Sequence, residues 1–334
     1  MLPRKVKTQD YLKDWIPPAA LRIGRSFVNR GKQLMRSVNT RFDGAAKYRI
    51  GGTLLLLPEA HPLPTYQSCW RLYDMPIRHL ADALRQAFPD GYYAVDIGAN
   101  VGDTAAAINA GGKTPVLCIE GDPSCFRFLE HNAKALGQHV VVEKCFVGDT
   151  DGQADEEQLD RCQGTTTAVR AIESAAGGLP VRRLESILRV HPQFEVPQLV
   201  KIDTDGYDFR IILSHLPFLL TRKPVLFFEY IVDARPSYEQ SLECIDALIR
   251  LGYEQFFVFD NFGNFLLSTT TRDTLRDLNL YLLSNAMFGT AVNYLDICAI
   301  PDSHQIVARI LREKLFALTF SRIEEEMPDR GQTA

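Results

Sequence analysis

The run VKIDTDGYD at 200–208 sets Asp203, Asp205 and Asp208 just beyond a short apolar segment, with Lys201 close by. Carboxylates grouped like this could take the proton from a reacting hydroxyl, and a neighbouring lysine lowers the cost of their charge. Glu229, near the end of VLFFEY at 225–230, reaches the same rim if the two runs are adjacent parallel strands. Two other chemistries fit part of the pattern. D-x-D could hold a divalent metal against a nucleotide-sugar diphosphate, which would make a glycosyltransferase. One or two of the acids could instead cap the helix that follows Gly206. A calcium loop also begins D-x-D-G, but the glutamate that should close it is absent.

A second group lies upstream, in VDIGANVGDT at 95–104. An apolar strand ends at Asp96, a glycine turn follows, and a helix opens near Asp103. Against the dinucleotide fingerprint G-x-G-x-x-G starting at Gly98, Asn100 replaces the second glycine and Asp103 the third. Asp103 at a helix N-terminus would also repel a pyrophosphate. A ligand bearing a sulfonium and an ammonium meets neither objection, so S-adenosylmethionine suits the turn better than NAD. The next strand ends at Glu120, about twenty residues on, where an acid can accept hydrogen bonds from ribose hydroxyls. Asp122-Pro123 then reads as helix cap and first helical residue, with Gly137 as the stop. A nucleoside-binding scaffold without turnover would show the same features, with Glu120 important and Asp205 not.

These groups need a frame. YYAVDIG, TPVLCIE, HVVVEKCFV, PQLVKID, KPVLFFEYIV and EQFFVFD read as buried strands. Helical stretches at 103–110, 123–136, 207–216 and 237–251 fall between them. The alternation predicts a doubly wound α/β fold, a mostly parallel sheet with helices on both faces. A last strand near 292–299 and a helix from about Ser303 complete it. Upstream, GGTLLLLP reads as strand-like, HPLPTY as a proline-broken loop, and 74–87 as a helix capped by Asp74. Residues 148–164 read as a polar, mobile excursion. His61 could flank an acceptor pocket. The other histidines (His79, His131, His139, His191, His215 and His304) read as helix or surface positions, and Tyr207 and Phe209 as packing residues.

In this order and spacing, VDIGANVGDT, VLCIEGDP, VKIDTDGYDFRIIL and VLFFEY resemble the FkbM-type methyltransferases over about residues 90–300. The resemblance implies a class I methyltransferase (Rossmann-like) fold with an antiparallel C-terminal strand. It also implies S-adenosylmethionine as donor and a hydroxyl acceptor on a carbohydrate, glycan or natural product. Carried over, Asp96, Gly98, Asn100, Gly102 and Asp103 would line the methionine part of the cofactor. Glu120, with Gly121 beside it, would hold the ribose, and the turn Val147–Asp149 the adenine region. The family's K-x-D-x-E-G-x-E element falls on Lys201, Asp203, Asp205, Gly206 and Asp208. Both of its glutamates are aspartates here, one methylene shorter. Asp203 is thereby expected at the cofactor, and Lys201, Asp205, Asp208 and Glu229 at the reacting hydroxyl.

The 334 residues carry a net charge of −4, which gives no sign of a nucleic-acid partner. Seven scattered cysteines without a C-x-x-C pair argue against a zinc site, and Cys118, Cys145 and Cys298 read as core residues. No apolar run reaches the roughly 20 residues of a membrane span, and no apolar stretch of a signal peptide follows the basic start, so a cytoplasmic location is expected. Charge is unevenly spread: twelve Lys and Arg face three Asp over residues 1–49, a balance of +9. The expected organisation is a basic extension at 1–47, a cap segment at 48–90 and a methyltransferase domain at 91–334. Residues 19–38 could form a basic amphipathic helix resting on an anionic membrane, or the same apolar face could pack on the body.

Overall fold

The structure is a computed structural model that describes residues 44–154, 159–162, 165–168, 171–172 and 178–326. The helix expected over 19–38 lies outside the described residues. Continuous apolar runs become strands buried on both faces. β3 (Ala94–Ile97), β4 (Val116–Ile119), β12 (Leu199–Ile202) and β13 (Val225–Tyr230) are buried at every position. With β5 (Val140–Glu143), β14 (Tyr253–Asp260), β15 (Phe265–Thr269) and β16 (Leu295–Pro301) they form an eight-stranded sheet. Its order is β15-β14-β16-β13-β12-β3-β4-β5. The five strands from β13 to β5 are parallel, and β16 enters antiparallel between β13 and β14.

Alternate residues of each strand feed two apolar layers. Ala94, Val116, Leu199 and Phe227 point to one layer, and Val95, Leu117, Val200 and Leu226 to the other. The first layer is closed by the hairpin β1 (Ala45–Ile50) and β2 (Thr53–Pro58) and by α2 (Met75–Ala87), α3 (Asp103–Asn109), α4 (Pro123–Leu136) and α10 (Gln305–Glu326). The second is closed by α5 (Leu184–Val190), α6 (Asp208–Ser214), α7 (Leu216–Arg222), α8 (Arg235–Arg250) and α9 (Arg272–Phe288). This is the doubly wound arrangement that the strand–helix alternation predicts. Asn132 of α4 ties β2 and the turn after β3 to that helix within the first layer. Its amide donates to the carbonyls of Leu56 (2.9 Å) and Val101 (2.8 Å) and accepts from the Leu56 N–H (2.8 Å).

Several local expectations are corrected. HPLPTY is not a loop: Leu63–Cys69 forms a helix, α1, with Pro62 as its cap and a proline in its first turn. A proline there loses no hydrogen bond, because the first turn has no carbonyl partner to offer. Asp74 precedes α2 as expected, but its carboxylate caps nothing and takes a hydrogen bond from Gln67 instead. The helix expected over 207–216 ends at Ser214 and a second starts at Leu216, with His215 at the break. His215 is buried rather than exposed, accepting from the Leu184 N–H at 3.1 Å while its other ring nitrogen meets the Ile211 carbonyl at 2.7 Å. The polar stretch after Gly148 contains strands. β7 (Gly152–Ala154) joins β6 (Phe146–Val147), β10 (Ala171–Ile172) and β11 (Leu179–Arg182) in a small sheet, and β8 (Leu159–Cys162) pairs with β9 (Thr165–Ala168).

Candidate active site

Strand register builds the centre of the site. Asp96 of β3 and Lys201 of β12 are direct partners on adjacent parallel strands, so their side chains leave the sheet together. Lys201 Nζ lies 3.3 Å from Asp96 and 3.2 Å from Asp203, the next acid along its own chain. Asp96 is fully buried; its Oδ1 faces the Lys201 ammonium, and its Oδ2 has no partner among the described residues. The buried lysine between two carboxylates is held well above its ordinary pKa, because their charge outweighs the cost of its burial.

The turn after β3 is shaped by close approach. Gly98 sits at φ 78°, and a Cβ there would lie 1.9 Å from the carbonyl oxygen of Asp203. Only glycine allows this contact, which joins the turn to the end of β12. Asn100 (φ 46°) and Gly102 (φ 88°) continue the left-handed course into α3. Glu120 supports the turn from below: its two oxygens accept from the backbone N–H groups of Asn100 (2.8 Å) and Asp122 (2.7 Å). Burial nonetheless pushes its pKa up to about 7. Asp122 caps α4 as expected, accepting from the N–H groups of Ser124 (2.7 Å) and Cys125 (3.2 Å). The space beside Gly121 is filled by the Phe146 ring. His61 reaches the same turn, with Nε2 3.4 Å from Asn100 Oδ1 and Nδ1 accepting from the Leu63 N–H at 3.3 Å. That pattern holds its neutral form, and burial lowers its pKa.

The turn fits a cationic ligand. Asp103 at the start of α3 is raised to about 7, chiefly by burial and then by the charge of Asp74. Asp96, with Oδ2 unpartnered among the described residues, adds its charge to the same region, so the turn presents acids where a phosphate would need donors. Asp149 lies farther along, half-exposed and ion-paired with Arg210 at 2.6 Å, which lowers its pKa.

Beyond β12 the acids are unequal. Asp205 is exposed and left-handed at φ 51°. It does not occupy the cap of α6, a position held by Tyr207 without a side-chain hydrogen bond. Asp208, the first helical residue, is 2% exposed, and its Oδ2 accepts from the Thr204 N–H (3.3 Å) and hydroxyl (3.1 Å). Its Oδ1 has no partner among the described residues. Burial, with the charge of Asp203, pushes its pKa up to about 8. Glu229 is buried beside this group with one oxygen unpartnered and is held well above its ordinary pKa, by burial and then by the charges of Asp203 and Asp208. Asp296 of β16 stands opposite Glu229 and is raised too, mainly by burial. The sequence alone did not single out Asp296. Among the described residues no group of three or more His, Cys, Asp or Glu is placed to hold a metal ion.

A wall of rings faces these acids. Tyr66 lies 5.4 Å from Trp70 and 5.3 Å from Tyr73 between ring centroids, and Trp70 lies 4.8 Å from Phe262 in the β14–β15 turn. The charge of Asp205 reaches Tyr66 and that of Asp203 reaches Tyr73, each adding to the upward push of burial on the phenol. Tyr66 lies in α1, Trp70 closes that helix in extended conformation, and Tyr73 sits in the turn before α2, so the rings meet through the turn rather than along one helix face.

Raised carboxyl groups make stability depend on pH with a definite sign. Asp103, Glu120 and Asp208 keep protons in the folded state that the unfolded chain has already released. Their contribution is full below the unfolded values near 4 and is lost as pH rises through about 7 to 8. Raising the pH from about 7 to 8.5 should therefore cost the ligand-free protein on the order of 2 kcal/mol. Thermal denaturation across that range checks the sign; a melting temperature that climbs would contradict these protonation states.

Residues 96–254 match the family described as Methyltransferase FkbM domain. No curated protein matches the chain. Among solved structures it is similar to methyltransferase FkbM from Methylobacillus flagellatus KT, at 14% identity and TM-score 0.34, over 63% of this chain and 44% of that one. It is also similar to TYW2 of M. jannaschii in complex with AdoMet, at 13% identity and TM-score 0.38, over 79% and 87% of the two chains. Precorrin-6y C5,15-methyltransferase from Geobacter metallireducens GS-15 aligns at 12% identity and TM-score 0.31, over 63% and 80%. The chain thus spans less than half of the Methylobacillus protein.

Proposed function

We propose that this chain, whose residues 96–254 match the Methyltransferase FkbM domain, moves a methyl group from S-adenosylmethionine to a hydroxyl of a carbohydrate or natural product. The observation that carries this reading is the buried pair Asp208 and Glu229, each with an unsatisfied oxygen, beside the turn at Gly98. Bound at that turn, S-adenosylmethionine would supply an electrophilic methyl carbon, so the protein must chiefly align the acceptor and remove its proton. Asp96 and Asp103 would face the cationic methionyl part, Glu120 the ribose, and the turn at Asp149 the adenine. Lys201 stands between Asp96 and Asp203 as their common counter-charge. Asp208, raised to about 8, is poised to exchange a proton near neutral pH. Asp205, exposed at the rim, would contact the acceptor rather than act as base.

Incubating the full chain with methyl-labelled S-adenosylmethionine and a panel of sugars and glycosides tests this reading. Label should appear in a base-stable ether on the acceptor. Label in a carboxyl ester or an N-methyl product would replace the hydroxyl acceptor with another. As for membranes, among the described residues no helix is long and apolar enough to cross one.

A further inference from the structure

The segment that precedes the sheet is fastened to the glycine turn and its helix at three places. Where β1 turns into β2, a Cβ on Gly51 would lie 2.1 Å from the carbonyl oxygen of Ala106 in α3. Along β2, the side-chain amide of Asn132 bonds to the backbone of Leu56 and to the Val101 carbonyl. Just before α1, His61 reaches Asn100. The first two fastenings are backbone packing and a buried amide. The third is an imidazole that the proposed methyl transfer does not use.

The bonds of His61 dictate its tautomer. A backbone N–H can only donate, and that of Leu63 donates to Nδ1 at 3.3 Å, so Nδ1 is the bare nitrogen and the ring proton sits on Nε2. Nε2 then donates to Asn100 Oδ1, 3.4 Å away. Both nitrogens are engaged, which leaves neither to take a proton from an acceptor hydroxyl. Asn100 lies within the turn at φ 46°, a left-handed course that a residue with a Cβ keeps only where its surroundings hold it. Its own N–H donates to Glu120 Oε2 at 2.8 Å. A single run of donors therefore passes from Leu63 through the imidazole and Asn100 to the acid proposed to meet the ribose. Resting on the S-adenosylmethionine site proposed above, we infer that His61 is a positioning residue of the donor site, whose Nε2–H holds Asn100 and with it the turn in the shape the cofactor meets. The imidazole touches no reacting atom. Without it the turn must be ordered when the cofactor binds, and that cost falls on donor affinity rather than on the chemical step.

Three substitutions in the full chain separate the two bonds of the ring. Glutamine sets its amide nitrogen near the place of Nε2 and can still donate to Asn100. Asparagine sets its polar atoms near the place of Nδ1 and can serve only Leu63. Phenylalanine keeps the bulk and serves neither. In titrations with S-adenosylhomocysteine, His61→Gln should bind within about twofold of the parent, while His61→Asn and His61→Phe should each bind roughly 3–10-fold more weakly, the net worth of one hydrogen bond. In an Asn100→Ala background, His61→Phe should change the affinity little further. The ¹⁵N spectrum of the parent ring should show Nε2 protonated and Nδ1 bare. Melting temperatures should stay close to the parent's, because the Gly51 and Asn132 fastenings remain. Parent-like binding by His61→Phe, recovery by asparagine but not by glutamine, or a proton on Nδ1 overturns the inference. No binding by the parent would refute the donor site itself, and this role with it.

Discussion

Lys201→Met is expected to destabilise the fold by about 3–5 kcal/mol, the cost of leaving a buried charge without its partner. Asp96 has no exposed surface, and Lys201 is the cation within reach of it. Methionine keeps the length of the side chain, so the loss is electrostatic rather than a cavity. Asp203 is affected less, because nearly half of its side chain meets solvent. Asp96 can escape by taking a proton, so the penalty should shrink as the pH is lowered toward 5. Denaturant unfolding at pH 7 measures it, and Lys201→Met combined with Asp96→Asn should recover much of the loss. A single variant as stable as the parent would show that the ion pair is not the centre of the site.

The second large effect belongs to Asp208. Asp208→Asn should lower turnover by roughly 10²–10⁴-fold, the usual contribution of a positioned base, without changing cofactor affinity. With its pKa pushed up to about 8, the parent carboxyl is mostly protonated at neutrality, and an amide is a close structural match for that form. The amide oxygen can still accept from the Thr204 N–H and hydroxyl, so the fold should persist. Parent turnover should rise with pH through about 8, and the variant should lose that rise. Unchanged turnover would make Asp208 a helix-start residue and move attention to Glu229.

The frame of this site was legible because its strands are buried on both sides and therefore uniformly apolar. VDIGANVGDT also argued against a phosphate ligand, since Asn100 and Asp103 stand where a phosphate site needs glycines. What escaped depended on pairing rather than spacing. The contact between Asp96 and Lys201 follows from the register of β3 and β12, which are about a hundred residues apart. β1 escaped because Lys47 and Arg49 alternate with partly buried residues, a pattern that reads as polar. α9 escaped because both of its faces mix polar and apolar side chains. Leu280, Tyr281 and Met287 are exposed, whereas Asn279 is buried, bonded to Tyr230 and Ser241. Reading Pro62 and Pro64 as breakers hid α1 and the place of Tyr66 on it.

The central claim, that the glycine turn and Glu120 form an S-adenosylmethionine site, is tested most directly by calorimetry with S-adenosylhomocysteine. The parent protein should bind one equivalent, and Glu120→Ala should weaken binding by roughly 10²–10⁴-fold. That substitution removes two ribose hydrogen bonds worth roughly 1.5–3 kcal/mol each, together with the acceptor that holds the Asn100 backbone. A melting temperature close to the parent's would confirm that the variant is folded. The same dissociation constant in a folded Glu120→Ala, or no heat of binding in the parent, would contradict the claim.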